Sequence, residues 1–462
     1  MDPVGLATVG DAMGVTDISA VTDHVHRCGA HFHKGSIPGD VAPGIHFSYQ
    51  PDLHDGETIV AVSQLHDAVI AAATHIPPAA TFVEGGVRIG AGTGNMASIS
   101  WGGGTGVGGA APLMNTPGFN STATAQMVFK ALLRELPDLP VEQLHERVCA
   151  GDFDTALDLK DYPTHGLTGR KIAVLGFGNI GRTVARLAQV FRMQVVVYAR
   201  KHWQRWIEAE GMEFAATPTR AAYNADVLSV HLGLGAQREN VGLVGQAVFD
   251  ELALGAVLIN FDRGELVDTQ ALGAALASGR VRHAAIDADL LTTSLRPQTH
   301  SGNSQPALPQ GPLAPYLALV ADYGARLLLL PHAAADTDHP SRVAGAIQAI
   351  DQILAAIRER RVSNLIGDLP VGYENAGAAT VPGVTPVRLG DIARLAQTPD
   401  GLSEVRAELA RLDQQLQRLA DGVALTDDQA DACVLAATRL TAQLNQLGLQ
   451  GPYKKAPNWD AQ

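Results

Sequence analysis

From Lys171 to Arg200 the chain reads KIAVLGFGNIGRTVARLAQVFRMQVVVYAR. A short apolar strand, Ile172–Leu175, runs into Gly176-Phe177-Gly178-Asn179-Ile180-Gly181. An amphipathic helix follows, and a second apolar strand, Val195–Tyr198, closes the segment. A strand, a glycine turn and a helix in this order admit few folds, and the pattern predicts a βαβ unit of parallel sheet that binds a dinucleotide. In this reading Gly176 permits the tight turn, Gly178 lets the backbone approach a pyrophosphate, and Gly181 lets helix and strand pack closely. The helix start at Asn179 and Ile180 offers free N–H groups and a positive dipole to the phosphates.

The end of the second strand sharpens the expectation. Dinucleotide units that take NAD carry an acidic residue there, roughly 20 residues after the glycines, on the adenosine ribose hydroxyls. Here the position holds Ala199, followed by Arg200, Lys201 and His202. Without a carboxylate to repel a 2′-phosphate and with two cations to pair with one, the segment favours NADP(H), with NAD(H) possible. The competing reading is a solvated basic loop in an NAD protein whose acid lies elsewhere.

A chain of 462 residues has room for two domains and an appendage. The formal net charge of −13 argues against a nucleic-acid partner. No metal is expected: Cys28, Cys149 and Cys433 have no metal-ligand or CxxC spacing and fit a reducing compartment. The first residues lack the charged and apolar regions of a signal peptide, and no run approaches the length of a membrane span. Together these features predict a cytoplasmic protein.

Residues 1 to about 125 read as weakly patterned α/β, with short strands expected at Thr58–Val62, Ala68–Ile70 and Val87–Ile89, and end in a glycine run from Trp101 to Gly109. A helix is expected over Ser121–Leu136. From Gly169 strands and helices alternate, as in a doubly wound parallel sheet. The further strands are Val227–His231, Ala256–Asn260, His283–Ile286 and Leu327–Leu330. A Pro/Ser/Gln-rich loop from about Thr292 to Pro312 interrupts the last crossover. A helix over Pro340–Glu359 would return the chain to the first domain. The expected division is therefore residues 1–120 plus 340–365 as a substrate domain, 121–339 as the dinucleotide-binding domain, 366–400 as a linker and 401–462 as a helical hairpin. In the last, Leu402, Val405, Leu409, Leu412, Leu416 and Leu419 recur at heptad spacing. Thr426-Asp427-Asp428-Gln429 has the pattern of a capping box. The hairpin would pack on its own protomer or against another.

Three further pieces follow the ends of expected strands: Asn260-Phe261-Asp262-Arg263-Gly264-Glu265-Leu266-Val267-Asp268, Ala284-Ala285-Ile286-Asp287 and Pro331-His332. In an open α/β sheet that edge holds the ligands. Arg263 offers a guanidinium that can grip a carboxylate and polarise a neighbouring carbonyl. His332 can give a proton to a developing alkoxide or remove it in reverse. With GFGNIG, with Asp226–Leu232 and with Asn115-Thr116-Pro117-Gly118, these pieces resemble the D-isomer-specific 2-hydroxyacid dehydrogenases over roughly residues 84–350.

The resemblance implies a Rossmann-type nucleotide domain beside a flavodoxin-like substrate domain, and a homodimer formed through the nucleotide domains. It implies that Arg263 and His332 are catalytic and that Asp287 faces the nicotinamide carboxamide. His231 would sit near the cofactor ribose, or be an ordinary strand-end histidine. Arg88, Ile89, Gly90 and Ala91 fall in what looks like the family's substrate loop, whose backbone N–H groups hold the substrate carboxylate.

The chain also departs from the family. Five residues beyond Asp287, where relatives place a Glu (Gln in formate dehydrogenases) that orients the catalytic histidine, stands Thr292. Asp289 is the nearest carboxylate, with Glu265 and Asp262 less plausible sources. The glycine run replaces a helix, and Gln126 stands where relatives commonly have Glu. The expected activity is hydride transfer between NAD(P)H and a small 2-keto acid or D-2-hydroxy acid. The alternative is an NADP(H)-binding protein of the same fold with little catalysis, acting as a sensor or interaction module through its C-terminal helices.

Overall fold

The computed structural model describes residues 4–9, 17–51, 56–72, 89–93, 112–233, 239–287, 313–330, 339–366, 369–376 and parts of 410–436. Two parallel sheets organise them. The first holds β1 (Val4–Val9), β2 (His31–Lys34), β3 (Ile45–Gln50), β4 (Ala68–Ala72), β5 (Ile89–Thr93) and β6 (Leu113–Thr116), in the order β2-β3-β1-β4-β5-β6. Every neighbouring pair is parallel. Without the edge strand β2, this is the flavodoxin-like order 2-1-3-4-5.

The second sheet holds β7 (Lys171–Leu175), β8 (Gln194–Tyr198), β9 (Glu213–Ala215), β10 (Val227–Val230), β11 (Ala256–Asn260), β12 (Val281–Asp287) and β13 (Leu327–Leu330). Its order is β13-β12-β11-β10-β7-β8-β9, again parallel throughout. The direction of winding reverses between β7 and β10, the topological switch point of a Rossmann-type sheet. The six strands named from the sequence are all present, and the three-residue edge strand β9 is an addition.

The helices are α1 (Ser19–Arg27), α2 (Gly56–Gln64), α3 (Ser121–Glu135), α4 (Val141–Cys149), α5 (Asn179–Val190), α6 (Gln204–Ala209), α7 (Gln246–Glu251), α8 (Thr269–Ala277), α9 (Ala314–Tyr323) and α10 (His339–Glu359), with shorter turns between some of them. Thr58–Val62, expected as a strand from its β-branched residues, lies in α2. A connection between parallel strands of one sheet needs a crossover, usually a helix, and this segment joins β3 to β4. The strand expected at Val87–Ile89 starts at Ile89 and runs to Thr93, with residues 87 and 88 outside the described ones.

Each sheet buries its own apolar residues. On one face of the second sheet Leu175, Val230, Leu258 and Ile286 pack against Phe249, Leu272 and Tyr316. On the other, Val174, Val197 and Ile259 pack against Val184 and Ala188 of α5 and against Val128, Phe129 and Leu132 of α3. The first sheet contributes Leu6, Phe47, Ile70 and Met114 to a core shared with Val21 and Val25 of α1 and with Ala346, Ala349, Ile350 and Ile353 of α10. The last long helix thus returns the chain to the first sheet.

The stretch expected as a linker from residue 366 begins bound to this sheet. The Ile366 N–H donates to the Leu113 carbonyl at 2.8 Å, and Glu374–Asn375 pairs with Arg361–Val362. In the tail, the Thr426 N–H donates to Gln429 Oε1 at 3.1 Å and the Gln429 N–H to Thr426 Oγ1 at 3.4 Å, the reciprocal bonds of a capping box.

Candidate active site

Because all strands of the second sheet are parallel, the residues that follow them collect on one edge. Reading across the sheet, Asp287 ends β12, Arg263 follows β11, His231 follows β10, the glycine turn follows β7 and Arg200 follows β8. At a strand spacing of about 4.8 Å these five positions span roughly 19 Å, across the switch point.

The glycine turn is held from both sides. The Gly176 N–H donates to the Tyr198 carbonyl at 2.9 Å, and the His231 N–H donates to the Leu175 carbonyl at 2.7 Å. Gly176 has φ +109°, and a Cβ there would run into the carbonyl of His231. A Cβ on Gly181 would meet the Gly176 carbonyl. Gly178 differs: a Cβ there would have nothing within 4 Å, so the turn leaves open space at the start of α5. Asn179 Oδ1 and His231 Nδ1 are buried beside this turn with no hydrogen-bond partner among the described residues. Open space, free helix N–H groups and two unsatisfied polar atoms fit a bound dinucleotide.

His231 is fully buried, and desolvation lowers its pKa from 6.5 to about 3. It is a neutral imidazole at any physiological pH, with Nε2 at 2.7 Å from Ser229 Oγ. Arg200 is exposed and makes no ion pair or hydrogen bond through its side chain with the described residues. Lys201 is already engaged, donating to Gln204 Oε1 at 2.6 Å.

The turn after β11 is built by Asn260, fully buried, whose Nδ2 donates to the Arg263 carbonyl at 3.0 Å and whose Oδ1 accepts from the Asp262 N–H at 3.2 Å. Asp262 Oδ1 accepts from the Arg263 N–H at 2.8 Å. Asp268 then caps α8 through the N–H groups of Gln270 and Ala271. Arg263 stands at this turn, half-buried, and Asp287 is buried at the end of β12.

Three features of the edge escape a reading of the sequence. Tyr316 on α9 reaches across to donate its hydroxyl to the Gly264 carbonyl at 2.8 Å, and burial raises its pKa. Glu210 sits almost wholly buried at the end of α6, accepting from Arg182 Nε at 2.6 Å and Arg186 Nε at 2.9 Å, both on α5. The Arg182 guanidinium also lies over the rings of Phe177 and Trp206. Gly118, with φ +94°, touches down beside Asn179, so the Asn115–Gly118 segment abuts the start of α5. No periodicity marks a lone Tyr or Glu as the partner of a distant turn or helix.

Of the substrate-loop residues, Ile89, Gly90 and Ala91 stand in β5, all with ladder neighbours in β4 and the last two also in β6. Arg88, His332, Asp289 and Thr292 lie outside the described residues, as does the glycine run.

Residues 134–296 match the model of the D-isomer specific 2-hydroxyacid dehydrogenase NAD binding domain. Curated relatives include a glyoxylate reductase of Thermococcus litoralis, 30% identical over 177 residues, which are 37% of this chain and 52% of that protein. A D-3-phosphoglycerate dehydrogenase of Archaeoglobus fulgidus is 26% identical over 274 residues, 59% of this chain and 44% of that protein. The chain spans about half the length of these curated relatives. Among solved structures, a D-isomer specific 2-hydroxyacid dehydrogenase from Lactobacillus delbrueckii ssp. bulgaricus in its NAD complexed form superposes with a TM-score of 0.54. It is 18% identical, over 77% of this chain and 97% of that one. A D-lactate dehydrogenase from Treponema pallidum gives 0.53 at 17% identity, with the same coverage. At such identity these likenesses speak for the fold. Residues 134–296 of this chain are thus similar to the D-isomer specific 2-hydroxyacid dehydrogenase NAD binding domain, on the fold of the solved dehydrogenases.

Proposed function

We propose that the chain transfers a hydride between a nicotinamide dinucleotide and a small 2-keto acid or D-2-hydroxy acid, in an active site at the carboxyl edge of the second sheet. The observation that carries this reading is the row Asp287, Arg263, His231, Gly176 and Arg200 on one edge, across the switch point. Gly176, Gly178, Asn179, Ile180 and Gly181 would hold the pyrophosphate, with His231 beside the neighbouring ribose and Asp287 on the carboxamide. Arg200, exposed and without a side-chain partner among the described residues, favours NADP(H), and Lys201 adds charge nearby. The dinucleotide supplies or accepts the hydride. Arg263 binds the substrate carboxylate and polarises the carbonyl to be reduced, which favours developing negative charge on that oxygen. His332 gives the oxygen its proton in reduction and takes it back in oxidation. Arg88, Ile89, Gly90 and Ala91 belong to the segment that would hold the carboxylate from the first sheet.

The same reading assigns residues 1–120 with 340–365 to a substrate domain, 121–339 to the nucleotide domain, and a homodimer in the cytoplasm. Among the described residues, no helix is long and apolar enough to cross a membrane.

Purified protein mixed with NADPH or NADH and a panel of glyoxylate, hydroxypyruvate, pyruvate and phenylpyruvate should oxidise the cofactor with at least one acid. Arg263→Ala and His332→Ala should abolish turnover while leaving cofactor binding in place. Tight cofactor binding with no turnover on the panel would favour the sensor reading, which the Thr292 position motivates.

A further inference from the structure

Three side chains able to ligate a metal meet where α1 packs against α10. His24 and Cys28 lie one turn apart around the end of α1 and share a face. Asp351 comes from the middle of α10, which packs against α1 in the first core. His24 Nε2 is 2.6 Å from Asp351 Oδ1, and Cys28 Sγ is 3.5 Å from the same nitrogen. The three ligand atoms all lie within 4.8 Å of one another. His24 and Cys28 are half-buried, and Asp351 is exposed.

Both short contacts fall on one imidazole nitrogen. A thiol–imidazole–carboxylate relay uses the two ring nitrogens separately, one for each partner. Here sulfur, nitrogen and oxygen converge on a common point, which is the arrangement of ligands and not of a nucleophile with its base. Cys28 also stands at the carboxyl end of α1, where the helix dipole favours a cation and disfavours an isolated thiolate. Arg358 Nη2 occupies the Cys28 carbonyl at 2.7 Å and leaves the three side chains to one another.

We propose that His24, Cys28 and Asp351 bind a divalent transition-metal ion of the zinc class, with water in the fourth position. A thiolate, an imidazole and a carboxylate form a donor set suited to zinc. Tetrahedral bonds of about 2.3 Å to sulfur and 2.0 Å to nitrogen place those atoms about 3.5 Å apart, matching the observed Sγ–Nε2 separation. The Nε2–Oδ1 contact must open from 2.6 Å to about 3.3 Å, which removes its hydrogen bond. Binding releases the thiol proton to solvent and leaves His24 neutral. Asp351 is exposed, so the ion and its water can reach the three side chains from solvent. A bound ion would pin the helix that closes the chain onto the first sheet to the first helix of that sheet.

The test uses the full chain, freed of metal by a chelator under reducing conditions and titrated with Co²⁺. One Co²⁺ per chain should bind with a thiolate-to-cobalt charge-transfer band. The band should vanish in Cys28→Ser, weaken in His24→Gln and Asp351→Asn, and persist in Cys149→Ser. Cys149 is the control, an exposed thiol 3.7 Å from His145 Nε2 on α4. A second measurement needs no variant: Zn²⁺ should slow alkylation of Cys28, located by mass spectrometry, at least tenfold. Absence of the band, its survival in Cys28→Ser, or unchanged alkylation of Cys28 overturns the proposal.

Discussion

The hydroxyl of Tyr316 donates to the carbonyl of Gly264 across 52 residues of sequence, tying α9 to the turn that carries Arg263. Tyr316 is among the largest fully buried side chains of the protein. In Tyr316→Phe the Gly264 carbonyl loses its donor in a buried place, and unfolding should become easier by about 1–2 kcal/mol. Turnover should fall several-fold through kcat, with cofactor affinity unchanged, because only the Arg263 turn loosens. Urea unfolding and steady-state kinetics on the same preparation check both halves.

Gly176 and Gly178 should respond oppositely to the same added methyl group. Gly176→Ala places a Cβ against the His231 carbonyl at a φ of +109°, so stability should drop by roughly 2–4 kcal/mol. Gly178→Ala meets no atom and should leave stability within about 0.5 kcal/mol. Its dinucleotide affinity should nevertheless fall about tenfold or more, since the methyl fills the ligand's space. Denaturant melts beside cofactor titrations separate the two.

Arg200→Ala should weaken NADPH by about tenfold to a hundredfold, the worth of roughly 1.5–3 kcal/mol for a lost charge-assisted bond, and leave NADH nearly unaffected. Lys201→Ala should do less, because that ammonium is held by Gln204. Competition binding of the two cofactors reads the difference, and equal effects on both would sink the assignment of Arg200 to a 2′-phosphate.

His231 carries a pH signature. Its pKa is about 3 in the folded chain and about 6.5 unfolded, so between these values the unfolded state binds the extra proton. Stability should be full above about pH 6.5 and fall by a few kcal/mol as the pH drops toward 3. His231→Gln should flatten that part of the profile. Unfolding measured across pH 4–8 in both proteins, taken as a difference, cancels the contributions of other histidines.

Glu210 neutralises two arginines in a nearly dry place. Glu210→Ala leaves Arg182 as an uncompensated buried charge and should cost about 3–5 kcal/mol. Adding Arg182→Met to that variant should recover most of the loss, because the pair is then replaced by apolar atoms. The more exposed Arg186 can turn to solvent. A double-mutant cycle by thermal unfolding gives the coupling directly.

The second sheet was legible in the sequence because its strands are buried on both faces. They read as continuous apolar runs, such as AVLIN at Ala256–Asn260. The glycine turn was legible for a steric reason: two of its positions admit no side chain. The first sheet was harder. β2 and β3 carry His31, His33 and His46, residues that give no apolar run, and α2 hid behind a β-branched stretch that topology forced into a helix. The long-range partners were not legible, since Tyr316 reaches a turn 52 residues away and Glu210 reaches two arginines of α5.

The contact between Gly176 and His231 also orders events in time. The glycine turn takes its shape from a carbonyl 55 residues further along, and the β10 segment in turn hangs on Leu175. A nascent chain that has emerged only as far as Arg200 holds the whole fingerprint yet lacks the wall that shapes it. On the proposed function, dinucleotide binding would therefore wait until β10 has joined the sheet, past its point of reversal.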